Sequence, residues 1–229
     1  MAAEDEPTPA DDELYGEPRW PIALAVLVFM ALILALRHFG PRRESIGPSW
    51  LVPLVVVLLF VALVTADPHG SSRYVMWLRR CAIALIVILA GAAVWSTGTL
   101  VHDLITGGKV TNSPGTLLAV GAIIWMGNNL VFSLLYWEFD SGGVRARALH
   151  SHPYPDFAFP QQLNPELAPP GWRPKFVDYL YLGLTNSTAF SPTDVMPLTA
   201  WAKLTMSVQS VVSLIIIGLV IARAVNIFT

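Results

Sequence analysis

Two stretches decide how this chain is built: FVDYLYLGLTNSTAF at residues 176–190, closed by SPTD at 191–194, and AKLTMSVQSVVSLIIIGLVIARAVNIF at 202–228. The second stretch is apolar over a length that suffices to cross a bilayer, which takes about 20 residues of helix. The first is shorter and is interrupted by Asp178, Asn186, Ser187 and Thr188. A helix of about 15 residues covers roughly 22 Å, well short of a hydrocarbon core about 30 Å thick. Phe176 to Phe190 is therefore expected to enter the membrane as a re-entrant half-helix and turn back. Such irregular backbone is tolerated only where it packs against protein or lines water.

Working outward, residues 137–175 turn polar and rich in proline, with Gly142 and Gly143 at their start. Tyr154, Phe157, Phe159 and Trp172 suit a loop lying at the membrane interface, where amphipathic rings settle. Four further apolar runs precede it, at Trp20–Leu36, Ser49–Ala66, Cys81–Val101 and Leu117–Tyr136. Ala90, Gly91, Ala92 and Ala93 give the third run the small surface that lets membrane helices approach closely. The expected fold is an all-α membrane protein of about five transmembrane helices plus one re-entrant, pore-type half-helix. Its expected parts are an acidic, disordered tail at 1–19, three transmembrane helices within 20–104, and a pore-like module over 117–228. That module comprises an outer helix at 117–136, a loop at 137–175, the half-helix at 176–190, a filter-like turn at 191–199 and an inner helix at 202–228.

Composition agrees with lipid as the solvent. Of the 229 residues 54% are apolar and 13% charged, whereas soluble domains carry about 25% charged residues. The formal net charge of -2 excludes a generally basic nucleic-acid binder. Seven acidic residues between Glu4 and Glu17 precede the first run, whereas a signal peptide needs a basic start. Cys81 is the only cysteine, which rules out an intrachain disulfide and a cysteine-cluster metal site. Arginine outnumbers lysine and alanine is abundant, which points to a bacterial plasma membrane as the expected location, with the lipid bilayer as the first partner.

The residues from Tyr181 to Asp194, and on through Pro197 to Arg223, resemble the pore of bacterial potassium channels. Without gaps, Tyr181 falls on the pore-helix aromatic residue and Thr188 on the threonine before the filter. Asp194 and Pro197 fall on the Asp-x-x-Pro after it, and Ile221, Ala222 and Arg223 on the inner-helix end. Where that family has Thr-Val-Gly-Tyr-Gly, this chain has Ala189, Phe190, Ser191, Pro192 and Thr193. Those channels strip an ion's water shell with backbone carbonyls, and glycine permits the backbone angles this needs. Pro192 instead fixes its own φ and restricts Ser191. The resemblance thus implies a channel-like protein without potassium selectivity, a homo-oligomer and by analogy a tetramer, with monovalent cations as the permeating partner. The last two-fifths are also similar to an uncharacterised family of bacterial integral membrane proteins. Tyr136-Trp137, Gly142-Gly143, Phe159-Pro160, Asp178-Tyr179 and Asp194 stand in that family's order, which implies architecture but no activity.

On this reading Ala189 to Thr193 form the constriction, Thr188 and Asp194 flank it, and Asn186, Ser207, Ser210 and Ser213 line the inner path. Serines 207, 210 and 213 recur every three residues and so share a helix face. Each has a plainer reading beside it. Asp178 and Asp194 either concentrate cations at an entry or cap helices, and Asn186, Ser187 and Thr188 either face water or bond neighbouring helices. Asn128 and Asn129 are expected to be interhelical glue. His150, His152 and Asp156 lack a defined ligand geometry in a proline-rich loop, so no metal and no cofactor are expected. No nucleophile, base and orienter come together, and enzymatic activity is not expected. The alternatives to a channel are a non-conducting scaffold built from a pore module and a small-solute transporter, the latter weakened by the lack of an internal repeat.

Orientation sets two indications against each other. The acidic tail followed by Arg37, Arg42 and Arg43 places the N-terminus outside, since basic residues beside the first helix stay cytoplasmic. The 137–175 loop then lies outside and the C-terminus inside. Arg73, Arg79, Arg80, Arg145, Arg147, Arg173 and Lys175 fall on the outer side in this arrangement, against the same rule.

Overall fold

The computed structural model describes residues 20–39, 57, 72–107, 113–143, 146–147, 154–188 and 194–228. Its longer helices are α1 (Trp20–Phe39), α2 (Ser72–Thr106), α3 (Pro114–Phe139), α4 (Phe176–Thr188) and α5 (Ala200–Phe228), with short helical turns at Asp140–Gly142, Pro160–Leu163 and Pro165–Leu167. Among the described residues three segments, Arg79–Thr106, Pro114–Gly142 and Ala200–Asn226, are long and apolar enough to cross a membrane. The expected spans at 81–101, 117–136 and 202–228 lie inside α2, α3 and α5. The first, at 20–36, lies in α1, whose apolar part Ala23–Leu36 is shorter than a full crossing. The run at 49–66 lies outside the described residues apart from Val57.

Helix α3 is the axis of the bundle: 61% of its apolar window is buried, against 22% and 28% for α2 and α5. Ser113 opens it by accepting a bond from the Thr116 amide, with Pro114 in the first turn, where its missing N–H costs nothing. Its end falls later than the sequence indicates, because Trp137, Glu138 and Phe139 continue the helix and the expected loop begins only at Asp140. The break is conformational. Ser141, Gly142 and Gly143 all take positive φ, at 54°, 78° and 97°, and a Cβ at Gly143 would stand 2.9 Å from the Glu138 carbonyl oxygen.

Contacts along α3 fix the direction of its neighbours. Helix α2 is antiparallel to it, with Arg79 Nε 3.9 Å from Glu138 Oε1 at one end and Leu100 and Leu104 beside Leu117 and Val120 at the other. Helix α5 is also antiparallel, from Trp201 against Phe139 to Val220 and Ala224 in the same distal cluster. Helix α1 packs Ala25, Val26 and Phe29 into the larger core and Leu36 against the distal one, so it runs parallel to α2. Phe39 and Ser72 therefore lie at opposite ends of the bundle.

Among the described residues, those from Asp140 to Trp201, except the deeper part of α4, gather at one end, called here the loop end. Phe157–Ala158 (β1) pairs antiparallel with Met196–Pro197 (β2), Phe157 facing Pro197 and Ala158 facing Met196. The Leu198 amide continues the pairing onto the Asp156 carbonyl at 2.8 Å.

Candidate functional site

The short helix α4 is held at the loop end by its own first turn and by the end of α3. Asp178 reaches back to accept a 2.7 Å bond from the Lys175 amide, the return half of a capping box. Burial pushes the half-buried Asp178 carboxyl above its ordinary range, and the Lys175 amide and charge hold the shift back. Tyr179, fully buried, donates its hydroxyl to Asp140 Oδ2. Its ring stands edge-on to Phe159, with 5.2 Å between centroids.

Asp140 is the hub of this end. It is buried, and its Oδ1 accepts from the Asp156 amide at 3.0 Å, the Ser141 hydroxyl at 3.1 Å and the Phe157 amide at 3.4 Å. Asp156 answers with Oδ2 on the Ser141 amide at 2.7 Å and Oδ1 on the Trp201 indole N–H at 2.7 Å. Arg147 Nη1 donates to the carbonyls of Trp137 at 2.6 Å and Asp140 at 2.9 Å. A guanidinium suits the end of α3, where carbonyls without helical partners point outward. Its carbon lies 5.2 Å from the Tyr179 ring centroid and 5.8 Å from that of Trp137. Four elements thus close on two carboxylates and one guanidinium.

Deeper in the bundle a second polar node ties α4 to α3 and α5. Gln209, fully buried, accepts at Oε1 from the Tyr136 hydroxyl at 2.6 Å and from Asn186 Nδ2 at 2.7 Å. Its Nε2 donates to the Gly183 carbonyl at 2.9 Å. Asn186 spends its second proton on the Met206 carbonyl at 2.9 Å, and the Ser210 hydroxyl lies within 3.2 Å of Asn186 O and 3.1 Å of its Oδ1. The helices come this close because position 183 has no side chain. A Cβ there would stand 2.7 Å from Asn129 Oδ1, and closer still to Ser133 Oγ.

Candidates named from sequence are distributed among several settings. Asn186, Ser207 and Ser210 line one open cleft of about 420 Å³, together with Lys203. Ser213 turns away from it, buried, and accepts a 3.1 Å bond from the Trp125 indole. Thr188 ends α4, exposed. Asp194 is exposed and followed by buried Val195. Ala189, Phe190, Ser191, Pro192 and Thr193 lie outside the described residues. Asn128 donates to Thr97 Oγ1 at 2.8 Å and joins α3 to α2, while Asn129 Oδ1 is buried without a hydrogen-bond partner.

Hydroxyl groups on this flank share an orientation. Thr185 donates to Tyr181 O, Ser187 and Thr188 to Leu184 O, and Ser207 to Lys203 O, each at 2.8–2.9 Å. With their protons turned onto helix carbonyls, the oxygens of exposed Thr188 and Ser207 offer lone pairs outward.

Sequence reasoning missed Gln209, Arg147 and Trp201 as partners and read Asp156 only beside the histidines. The available signals were an isolated glutamine inside a span, which demands internal partners, and an Asp-Ser-Gly-Gly directly after one. Among the described residues no group of three or more His, Cys, Asp or Glu side chains could hold a metal ion. No family model matches the chain, and no curated protein or solved structure proves similar to it.

Proposed function

We propose that this chain is the protomer of a homo-oligomeric, ion-channel-like protein of a bacterial plasma membrane, a cation pathway without potassium selectivity. The observation that carries the reading is the depth and return of α4. Its first turn rests against Asp140, its last turns against Met206 and Gln209, and by Met196 the chain is back beside Ala158 at the loop end. Helix of that length, about 20 Å, enters a bilayer without crossing it. The turn between, Ala189 to Thr193, is the constriction in this reading, and Thr188 and Asp194 flank it.

Two features favour cations. The outward lone pairs of Thr188 and Ser207 suit a partly dehydrated cation and offer no proton to an anion. Asp194 adds an exposed carboxylate at the loop end, where fixed charge raises local counter-ion concentration. Selectivity of the potassium type is absent because Pro192 and the missing glycines do not permit a ladder of inward carbonyls. Four copies around one axis is the arrangement the pore resemblance implies. The Ser49–Ala66 run supplies the further crossing that joins the far end of α1 to the loop end of α2, making five spans.

A second reading, a non-conducting scaffold, has its own observation. Asn186, Ser210 and Ser213 spend their polar groups on other helices, as interhelical glue does. Reconstitution in liposomes decides between them. The channel reading expects passage of sodium, potassium and rubidium with little discrimination. An assembled protein that passes none of them is a scaffold, and a monomer that passes none refutes both the pore and its oligomer.

A further inference from the structure

The open cleft of about 420 Å³ between α4 and α5 begins at the loop end with Pro197 and Lys203 and runs inward to Ser210 and Val211. Lys203, exposed, stands near the start of the apolar segment Ala200–Asn226. A lysine so placed carries its ammonium to the headgroups while its stem lies along apolar surface. Positions 203, 207 and 210 share one helix face, and the next position in that row is the exposed Leu214. The rise from Lys203 to Leu214 is about 16 Å. That is close to one leaflet, half of a hydrocarbon core about 30 Å thick.

Below the lysine the lining does not demand water. Ser207 donates to Lys203 O at 2.8 Å, Asn186 Nδ2 donates to Met206 O at 2.9 Å, and the Ser210 hydroxyl lies 3.1 Å from Asn186 Oδ1. With these protons bonded inside the chain, an apolar occupant leaves no buried donor unpaired. Pro197, Met206 and Val211 supply apolar walls. Val211 is also exposed, in one helical stripe with Val208 and Ile215, so the cleft is open toward the surface that a crossing helix turns to the acyl chains. A small anion would leave the apolar walls unused, and a neutral tail would leave the ammonium unused. An anionic lipid uses both.

We propose that the α4–α5 cleft seats one anionic phospholipid of the surrounding bilayer, its phosphate on Lys203 and one acyl chain along Met206 and Val211, and that a seated lipid and a passing cation exclude each other. The seat stands on the cleft alone, whereas the exclusion rests on the pathway reading above. A chain lying over Ser207 covers the lone pairs which that reading offers to a cation. The lipid is thus an exchangeable block, and the cleft conducts only in copies from which it has left.

Two measurements on the full-length protein test it. Native mass measurement in detergent, with phosphatidylglycerol or phosphatidylcholine added, should show one phosphatidylglycerol retained per chain and preferred about fivefold, the worth of one lysine beside an anionic headgroup. Lys203→Ala should abolish that preference. Lys175→Ala, which removes an exposed cation at the same end outside the cleft, should keep it. Val211→Trp fills the cleft and should lower retention of both lipids. Lys203, Lys175 and Val211 are exposed, and unchanged melting temperatures show that the variants still fold. No preference in the parent, a preference that survives Lys203→Ala, or one lost equally with Lys175→Ala overturns the seat. So does Val211→Trp if it breaks an oligomer and leaves lipid retention unchanged, since a second copy then fills the cleft. In liposomes, cation passage by the parent should fall as phosphatidylglycerol replaces phosphatidylcholine, although anionic headgroups by themselves raise the local cation concentration. Lys203→Ala should lose the fall. Lipid held through Lys203 with passage that does not fall overturns the exclusion. Lipid held there by a protein that passes no cation at any composition supports the seat and refutes the pore.

Discussion

Replacing Gly183 with alanine tests the tightest packing found at any of the described glycines. The added Cβ would lie 2.7 Å from Asn129 Oδ1, about 0.7 Å inside the 3.4 Å at which ordinary contact begins, with Ser133 Oγ nearer still. Asn129 and Ser133 cannot simply retreat, since both are buried on the central helix and Ser133 is bonded to Asn129 O at 2.8 Å. Helix α4 must move instead, and doing so stretches the 2.9 Å bond from Gln209 to the Gly183 carbonyl. Overpacking of this kind costs about 1–3 kcal/mol, and the weakened buried bond about 1 kcal/mol more. Alanine's better helix propensity returns about 1 kcal/mol. The net expectation is a loss of about 1–3 kcal/mol. Unfolding followed by tryptophan fluorescence in detergent, with Gly91→Ala and Gly218→Ala as controls, gives the comparison. A Cβ at either control position meets nothing within 4 Å, so those variants should match or slightly exceed the parent. Ser133→Ala added to Gly183→Ala removes the nearest atom and should recover part of the loss. If Gly183→Ala is as stable as the controls, the close packing of α4 on α3 is wrong.

Gln209→Leu keeps the volume but strands the Tyr136 hydroxyl, one Asn186 proton and the Gly183 carbonyl, so a loss of about 2–4 kcal/mol is expected by the same unfolding assay. Arg147→Lys should destabilise by about 1–3 kcal/mol, because an ammonium can bond the two carbonyls that Nη1 reaches but has no planar face to lie against the Tyr179 and Trp137 rings. Equal stability of Arg147→Lys and the parent would remove Arg147 from the clamp. The raised carboxyl of Asp178 makes the folded chain hold a proton that the unfolded chain releases. Stability from this residue is therefore greatest below the ordinary carboxylate range and falls as pH rises through the raised value. A melting-temperature profile against pH should lose that component in Asp178→Asn.

Much of the helical layout is legible in the sequence because lipid leaves few choices. The apolar runs of α3 and α5 announce themselves by length, and the polar interruptions of α4 set it apart. The clamp is not legible. Tyr179 lies 39 residues from Asp140, Trp201 lies 45 from Asp156, and Gln209 lies 73 from Tyr136, separations that no local pattern encodes. Arg147 shows the cost of reading charge alone, since it counts as an exposed loop cation by the orientation rule yet bonds helix-end carbonyls between two rings. Serines 207, 210 and 213 do share a helix flank, as their spacing requires. The tilt of that flank sends Ser207 to solvent and Ser213 to Trp125, a difference of packing that spacing cannot supply.

The outer stripe of α4 bears on what lies beyond it. Val177, Tyr181 and Leu184 are exposed in succession from the loop end inward, and Thr188 follows at the deep end. A half-helix anchored against lipid would carry the opposite order, with polar groups near the headgroups and apolar ones toward the centre. Hydrophobicity alone does not hold α4 at this depth either. The Asp140 hub fixes its start, and the Gln209 node fixes its last turns. With both ends tied by side-chain bonds, the Thr188 hydroxyl is held at the end of α4 remote from the loop end, and in the re-entrant reading proposed above water or a second copy of the chain is the environment that suits it.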